Sequence, residues 1–329
     1  MKSFARSLMH IAVGFCLLFF AATSFAQTFV GTILAAQGDV KVLHMPTPQD
    51  HRPFAKLKGQ EYAYVPAKLG MKVNPGEVIL SGPNGKIKIV YPNGDTFLIG
   101  NSSSFILPAV IDKQADNSKA NDAATSMVKM YYGRFRAMIS KTGPRNNLRV
   151  VTPDAVAGVR GTDFFTRSNA AYGTQLTVLR GTVAMRSTQD LSHTVDVHSG
   201  YSAATSVKFQ TFPHAEEATR EDIMNAQKAT AVHPNPAAIA HLPPAQQQEI
   251  HNLQKKELES VMADIHDHNP ELYHELQKRG VRNVEQINRQ VVQRLAQNAP
   301  AKKKKKPTRD ELNRAGRNTY KHYYRHHGK

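Results

Sequence analysis

Gly82-Pro83-Asn84-Gly85, Lys86-Ile87-Lys88-Ile89-Val90, Pro92-Asn93-Gly94-Asp95 and Thr96-Phe97-Leu98-Ile99 follow one another almost without a gap. Lys86 to Val90 alternates basic and apolar side chains, the period-two pattern of a strand with one face buried. The segments on either side are turn signals, and Asn93-Gly94 tolerates the positive φ that hairpin turns demand. Strand, tight turn and strand are expected here. The same grammar extends outward in both directions. Thr32 to Leu43 carries an apolar stretch, a Gly38-Asp39 turn and Val40-Lys41-Val42 in alternation; Gly76 to Leu80 and Phe105 to Leu107 read as further short strands. Downstream, Met127 to Ile139, Leu148 to Thr152, Asp163 to Thr166, Gln175 to Leu179, Thr182 to Met185 and Thr194 to Val197 are each closed by a Gly or Pro signal. The fold class expected is mainly β, with many short strands joined by tight turns. Pattern alone leaves sandwich, barrel and solenoid arrangements open.

The organisation expected along the chain has five parts. Residues 1–26 are a signal peptide, 27–212 an all-β domain, 213–243 a helix with a Pro-rich linker, 244–299 a helical segment, and 300–329 a basic, disordered tail. Within the β part, 112–126 is polar, rich in Ala and Asn and without apolar periodicity, so it reads as an exposed loop. Helices are expected over Glu216 to Thr230 and Pro244 to Asp267. In the second, Ile250, Leu253, Leu258, Val261, Met262 and Ile265 fall largely on one stripe. Asn269-Pro270-Glu271 supplies a cap, a first-turn Pro and an early acid, Gly280 a stop, and Val284, Ile287, Val291 and Leu295 mark a last amphipathic helix. These stripes are narrow, which fits either a helical hairpin resting on itself or on the β domain, or a helix pair that docks a partner protein.

The chain has 329 residues, 43 Lys+Arg against 26 Asp+Glu, and a single Cys. One cysteine makes no internal disulfide and does not supply a Cys-rich zinc module or an iron-sulfur cluster. Lys2 and Arg6 precede an apolar run from Leu8 to Phe20, and Ser24-Phe25-Ala26 offers small residues where a signal peptidase reads. This is a secretory signal pattern, with cleavage expected before Gln27; an uncleaved N-terminal anchor is the alternative. Cleavage removes Cys16, so the mature body relies on its hydrophobic core.

Leu148-Arg149-Val150-Val151-Thr152-Pro153-Asp154-Ala155-Val156-Ala157-Gly158-Val159-Arg160-Gly161-Thr162-Asp163-Phe164 resembles the core signature of the FecR domain, and the resemblance extends over roughly residues 30 to 205. Gly38-Asp39-Val40-Lys41-Val42, Gly76-Glu77-Val78-Ile79, Asn93-Gly94-Asp95 and Val178-Leu179-Arg180-Gly181-Thr182-Val183 agree with it as flanks. The resemblance implies a domain outside the cytosol. In the best-known relatives that domain receives a signal from an outer-membrane iron-siderophore transporter, and a cytoplasmic segment controls a sigma factor. With about 26 signal-like residues ahead of the β half, no cytoplasmic sigma-binding domain is expected here.

Thr152, Pro153, Gly158, Val159, Arg160, Gly161, Thr162, Asp163 and Phe164 are the motif residues of that resemblance. A planar Arg160 fork beside Thr162 and Asp163 would suit a carboxylate or phosphate; the favoured reading is structural, with Gly161 supplying an unusual backbone conformation and Arg160 pairing with an acid across the turn. No catalytic residue, cofactor or metal ligand is expected. The chain has no Gly-x-Ser-x-Gly elbow and no phosphate loop, and His274-Glu275 is followed by Lys278 where a zinc-protease helix needs its second His. His266, His268 and His274 read as a solvated face. Lys302, Lys303, Lys304, Lys305, Lys306 and Arg309 begin a polycationic tail. With Tyr320, Tyr323 and Tyr324 it would point to nucleic acid in a cytosolic protein. After export the anions it meets are lipopolysaccharide, phospholipid and peptidoglycan. The function expected is a non-enzymatic interaction or scaffold module in the periplasm or at the outer membrane of a Gram-negative cell envelope, bound to an envelope protein or anionic surface. The alternative is a periplasmic sensor relaying a transporter signal to a separate membrane partner. The sequence leaves the oligomeric state open.

Overall fold

Short alternating runs cannot each bury a face alone, so they assemble into sheets whose apolar sides meet. The computed structural model describes residues 30–111, 125–140, 148–159 and 161–301. Among them are strands β1 (Gly31–Gln37), β2 (Val40–His44), β3 (Phe54–Leu57), β4 (Gln60–Pro66), β5 (Lys72–Val73), β6 (Val78–Ser81), β7 (Lys86–Val90), β8 (Thr96–Ile99) and β9 (Ser103–Ile111). They continue as β10 (Thr125–Met138), β11 (Leu148–Val151), β12 (Ala155–Val159), β13 (Asp163–Asn169), β14 (Gly173–Arg180), β15 (Thr182–Ser187), β16 (Thr194–His198), β17 (Tyr201–Thr205) and β18 (Ala215–Glu217). Pairing links them into two layers. Sheet A runs β5-β1-β7-β8-β10-β13-β14-β17-β18. Sheet B runs β3-β4-β2-β6-β9-β10-β11-β12-β15-β16.

Strand β10 belongs to both. Its first part pairs with β9 and, in parallel, with β11; from Gly133 it pairs with β13 and β8. Gly133 sits at the crossing with φ 117, and a Cβ there would fall 2.2 Å from Ser103 Oγ. Only glycine passes that point, because both the backbone conformation and the space exclude a side chain.

The two layers enclose one core. Ile87, Ile89, Phe97, Phe135, Phe164 and Val178 of sheet A meet Val42, Ile79, Phe105, Val128, Val150 and Met185 of sheet B. Phe97 and Phe135 have ring centroids 5.2 Å apart in an edge arrangement, and Phe105 and Phe135 lie at 4.5 Å. Such aromatic pairs add about 0.5–1.5 kcal/mol each beyond the area they bury. Of the arrangements the sequence left open, the protein adopts the sandwich.

Five helices follow among the described residues: α1 (Arg220–Thr230), α2 (Pro236–Ala240), α3 (Pro244–His268), α4 (Pro270–Lys278) and α5 (Val284–Asn298). They form a third layer on the outer face of sheet A. Ile250 and Leu253 of α3 pack on Leu34 and Val90; Val261 and Ile265 join Leu98 and Met138; Val292 and Ala296 of α5 join Phe165 and Leu179. The amphipathic stripes are thus covered by the sheet and by one another. Asn269 caps α4 by accepting from Leu272 N at 3.0 Å, and Gly280 follows with φ 60, as the sequence signals indicate. None of the helices among the described residues is long and apolar enough to cross a membrane.

Four boundaries differ from the sequence reading. Glu216 does not begin a helix: Ala215–Glu217 pairs with β17, and α1 starts where Thr219 and Asp222 form a reciprocal capping box. The Pro-rich linker contains α2, begun by Asn235 as cap and Pro236 in the first turn. Thr125 and Ser126, placed in the polar loop, belong to β10. Strands β3 and β4, whose hairpin turns through Lys58 and Gly59 with positive φ, lay in a stretch with no strong alternation. The signal peptide, residues 112–124 of the polar loop, Arg160 and the basic tail from Lys302 lie outside the described residues.

Candidate functional site at the helix-covered sheet face

The motif residues occupy two places. Thr152, Pro153 and Asp154 form a knot at one end of the sandwich. The Thr152 hydroxyl accepts from Ala155 N at 2.9 Å and lies 2.7 Å from the Thr174 hydroxyl. Pro153 O accepts from the Thr188 hydroxyl at 3.0 Å, and Asp154 Oδ1 accepts from Val207 N at 2.9 Å. Four chain segments are tied there by short polar contacts. Gly158 and Val159 lie in β12, with Val159 in the core. Gly161 has φ 57, Thr162 O accepts from Ile139 N at 2.8 Å, and Phe164 packs edge-on against Phe135 at 6.0 Å.

Asp163 is fully buried on the outer face of sheet A. Arg136 on neighbouring β10 donates to it twice, from Nε at 2.8 Å and Nη2 at 2.7 Å. Arg136 Nη2 also donates to Asn288 Oδ1 of α5 at 3.0 Å. A bidentate guanidinium–carboxylate pair is among the strong charge-assisted contacts. The sequence reading sought Asp163's role at the turn and did not single out Arg136; the signal available was an arginine inside the apolar run Phe135-Arg136-Ala137-Met138.

Two more buried ion clusters flank this pair, and each joins the sheet to a helix. Lys88 of β7 lies 2.8 Å from Glu257 of α3 and 2.7 Å from Glu285 of α5, and Thr96 donates to Glu257 at 2.9 Å. Burial works against the Lys88 ammonium, but Glu257 and Glu285 outweigh it and its pKa is raised. Burial pushes Glu257 up despite Lys88, whereas the Lys88 charge overcomes burial at Glu285 and holds it below its ordinary value. At the other side Arg180 of β14 pairs with Asp264 of α3, and His268 Nδ1 lies 3.1 Å from Asp264 Oδ1. His266 instead stacks edge-on with Tyr273 at 4.8 Å, and the His274 ring lies 5.7 Å from the same tyrosine. Among the described residues no three His, Cys, Asp or Glu side chains gather as a metal-binding group.

A family model described as FecR protein matches residues 77–184. The β body carries a FecR domain. The match contains all nine motif residues and also Lys88, Arg136 and Arg180, while Glu257 and Glu285 beside Lys88, Asp264 beside Arg180 and Asn288 beside Arg136 come from helices beyond the matched span. Each of these cations thus has a partner in the C-terminal layer, and Arg136 and Arg180 also face Asp163 within the match. No curated protein matches the chain. Two solved structures of a candidate anti-sigma factor from Parabacteroides distasonis ATCC 8503 are similar at 12% and 13% identity, each with a TM-score of 0.35. They cover 45% and 44% of this chain, which spans 63% and 62% of theirs. At those TM-scores the likeness carries no argument about role.

Proposed function

We propose that this chain is an exported, non-enzymatic FecR-domain protein that serves as an interaction or scaffold module in a Gram-negative cell envelope. The FecR match over residues 77–184 is the observation that carries the reading. The structural role of the motif is supported by the contacts of Thr152, Asp154 and Asp163, which are made with groups of the fold itself. The export part rests on the basic, apolar and small-residue pattern of the first 26 residues, with cleavage before Gln27. In this account residues 27–212 form the FecR-like body, 213–243 the link, 244–299 the helical layer, and the tail from 300 is a polycation facing the envelope. Each Lys or Arg near an anionic membrane contributes about 1 kcal/mol, less as salt rises. Lys302 to Lys306 and Arg309 therefore hold lipopolysaccharide, phospholipid or peptidoglycan.

The same match favours a second reading, a periplasmic sensor that relays an outer-membrane transporter signal to a separate membrane partner. N-terminal sequencing of native protein from envelope fractions tests the first part: Gln27 as first residue is expected, and intact Met1 on a cytosolic protein would refute export. Deleting Ala301 to Lys329 is expected to release the protein from envelopes at low salt, and unchanged retention would remove the tether. Recovery of a transporter or sigma-regulating membrane protein in a pull-down would replace the scaffold with the sensor.

A further inference from the structure

The outer face of sheet A supplies several cations, and the helical layer treats them unequally. Lys72 meets Glu249, Lys88 meets Glu257 and Glu285, Arg136 meets Asp163, and Arg180 meets Asp264. Lys86 closes the C-terminal end of α1 by donating to Lys228 O at 2.8 Å and Ala231 O at 3.4 Å. Arg134 and Arg167 are the exception among the described residues. They stand directly opposite each other on β10 and β13, with Gln175 of β14 next in line. Like charges facing each other across a strand pair cost stability, and no carboxylate is free to offset this one.

Arg134 donates through Nη1 to Asn101 O at 3.3 Å and Oδ1 at 3.0 Å, which leaves its Nε and Nη2 uncommitted. Arg167 is exposed and its side chain has no hydrogen bond or ion pair. Both line a cavity of about 130 Å³ between sheet A and α1, together with Gln175, Thr177, Asp222 and Asn225. Asp222 is the acid present, and its oxygens are engaged: Oδ1 accepts from Gln175 at 3.0 Å, and Oδ2 accepts from the Thr219 hydroxyl at 2.7 Å and Thr219 N at 3.2 Å. The surroundings add positive charge. Burial, then Arg134, then Lys228 depress the pKa of Lys86 beside the cleft.

We propose that this cleft is a binding site for a phosphate group, held between the Arg134 and Arg167 guanidinium forks, with Asn225 and Thr177 also lining it. Two forks offer more N–H donors than a carboxylate has oxygens, and the three terminal oxygens of a phosphomonoester match them better. The cavity holds the phosphate group and leaves its substituent outside, so a phosphorylated sugar and a lipid headgroup are both compatible sources. The proposal stands on contacts of its own. It extends the envelope reading by naming a ligand class, yet its test on purified protein does not depend on where the chain resides.

The experiment is a thermal-melt titration of the full chain with inorganic phosphate, glucose 6-phosphate and galacturonate at ionic strength matched with sodium chloride. Vesicles with and without phosphatidic acid form a further arm. Saturating phosphate at roughly 100 times Kd is expected to raise Tm by about 5 °C. Arg167→Gln is expected to melt at or above the parent temperature in phosphate-free buffer, because the facing charge is gone, and to bind phosphate at least tenfold more weakly. Arg134→Gln is expected to weaken binding likewise, whereas Gln at Lys302 to Lys306 leaves the response intact. A sugar-phosphate response identifies a soluble or glycan source, and a response to phosphatidic acid alone identifies a headgroup; both retain the site. A phosphate shift unchanged in Arg167→Gln, a shift reproduced by sodium chloride, or tighter binding of galacturonate would overturn the assignment.

Discussion

Replacing Lys88 by Met probes the joint between the FecR domain and its helical layer. The side chain is 3% exposed, with carboxylate oxygens of Glu257 and Glu285 at 2.8 and 2.7 Å. Methionine keeps the reach and removes the charge, so two acids face each other in a buried site. Removing one partner of a buried ion pair costs about 3–5 kcal/mol, which for a protein of this size lowers Tm by roughly 6–10 °C. The loss also has a pH signature. Glu285 has a folded-state pKa below its ordinary 4.5, so its stabilising contribution is complete above that value and disappears as pH falls below it. Parent and variant stabilities should therefore converge at acidic pH, where the carboxylates of both are protonated. Urea unfolding followed by circular dichroism near pH 7 and in steps from pH 4.5 downward measures both effects. The triple variant Lys88→Met, Glu257→Gln, Glu285→Gln should regain most of the loss, since no unpaired charge is left. A loss under about 1 kcal/mol at neutral pH, the value of a solvated pair, would refute the buried clamp, as would a loss that does not change with pH.

Asp163→Asn should cost about 3 kcal/mol in the same unfolding assay, because Arg136, 1% exposed, is left with no carboxylate of its own; near-parent stability would mean that the motif acid is not a structural anchor. Gly94→Ala should lose about 1–3 kcal/mol: Gly94 has φ 88, and its Cβ would come within 2.6 Å of Lys256 O, so the hairpin turn would be pushed off α3. Thr219→Ala should cost about 1 kcal/mol by removing the α1 cap, and an unchanged melt would show that the capping box adds nothing.

The strand half was legible because alternation and turn chemistry agree locally, as in Lys86-Ile87-Lys88-Ile89-Val90 between two glycine turns. The same run shows where local reading stops. Lys86 and Lys88 look like solvent-facing lysines on an amphipathic strand, yet Lys88 is buried and Lys86 caps a helix, because residues about 140 to 200 positions later cover that face. Period-two alternation reports which side chains share a face, and says nothing of a third layer that arrives from distant sequence. The helix stripes carried the complementary half of that information: Ile250, Leu253, Val261 and Ile265 announced a covered face without saying what covers it. Asp163 was legible as a motif residue, but its partner Arg136 lies on a strand that is adjacent only in three dimensions. The chemistry of the outer face comes from the match between sheet cations and helix acids, and no spacing in either segment encodes it.

Native-state amide hydrogen exchange on the full chain tests the central claim, that the C-terminal helices are an integral layer of the FecR body. If they are, peptides from α3 and α5 open with the same free energy as β7, β8 and β10, because the Lys88, Arg136 and Arg180 clusters bind them into one cooperative unit. Exchange of the helices through local opening at much lower free energy, with those strands still protected, would contradict it.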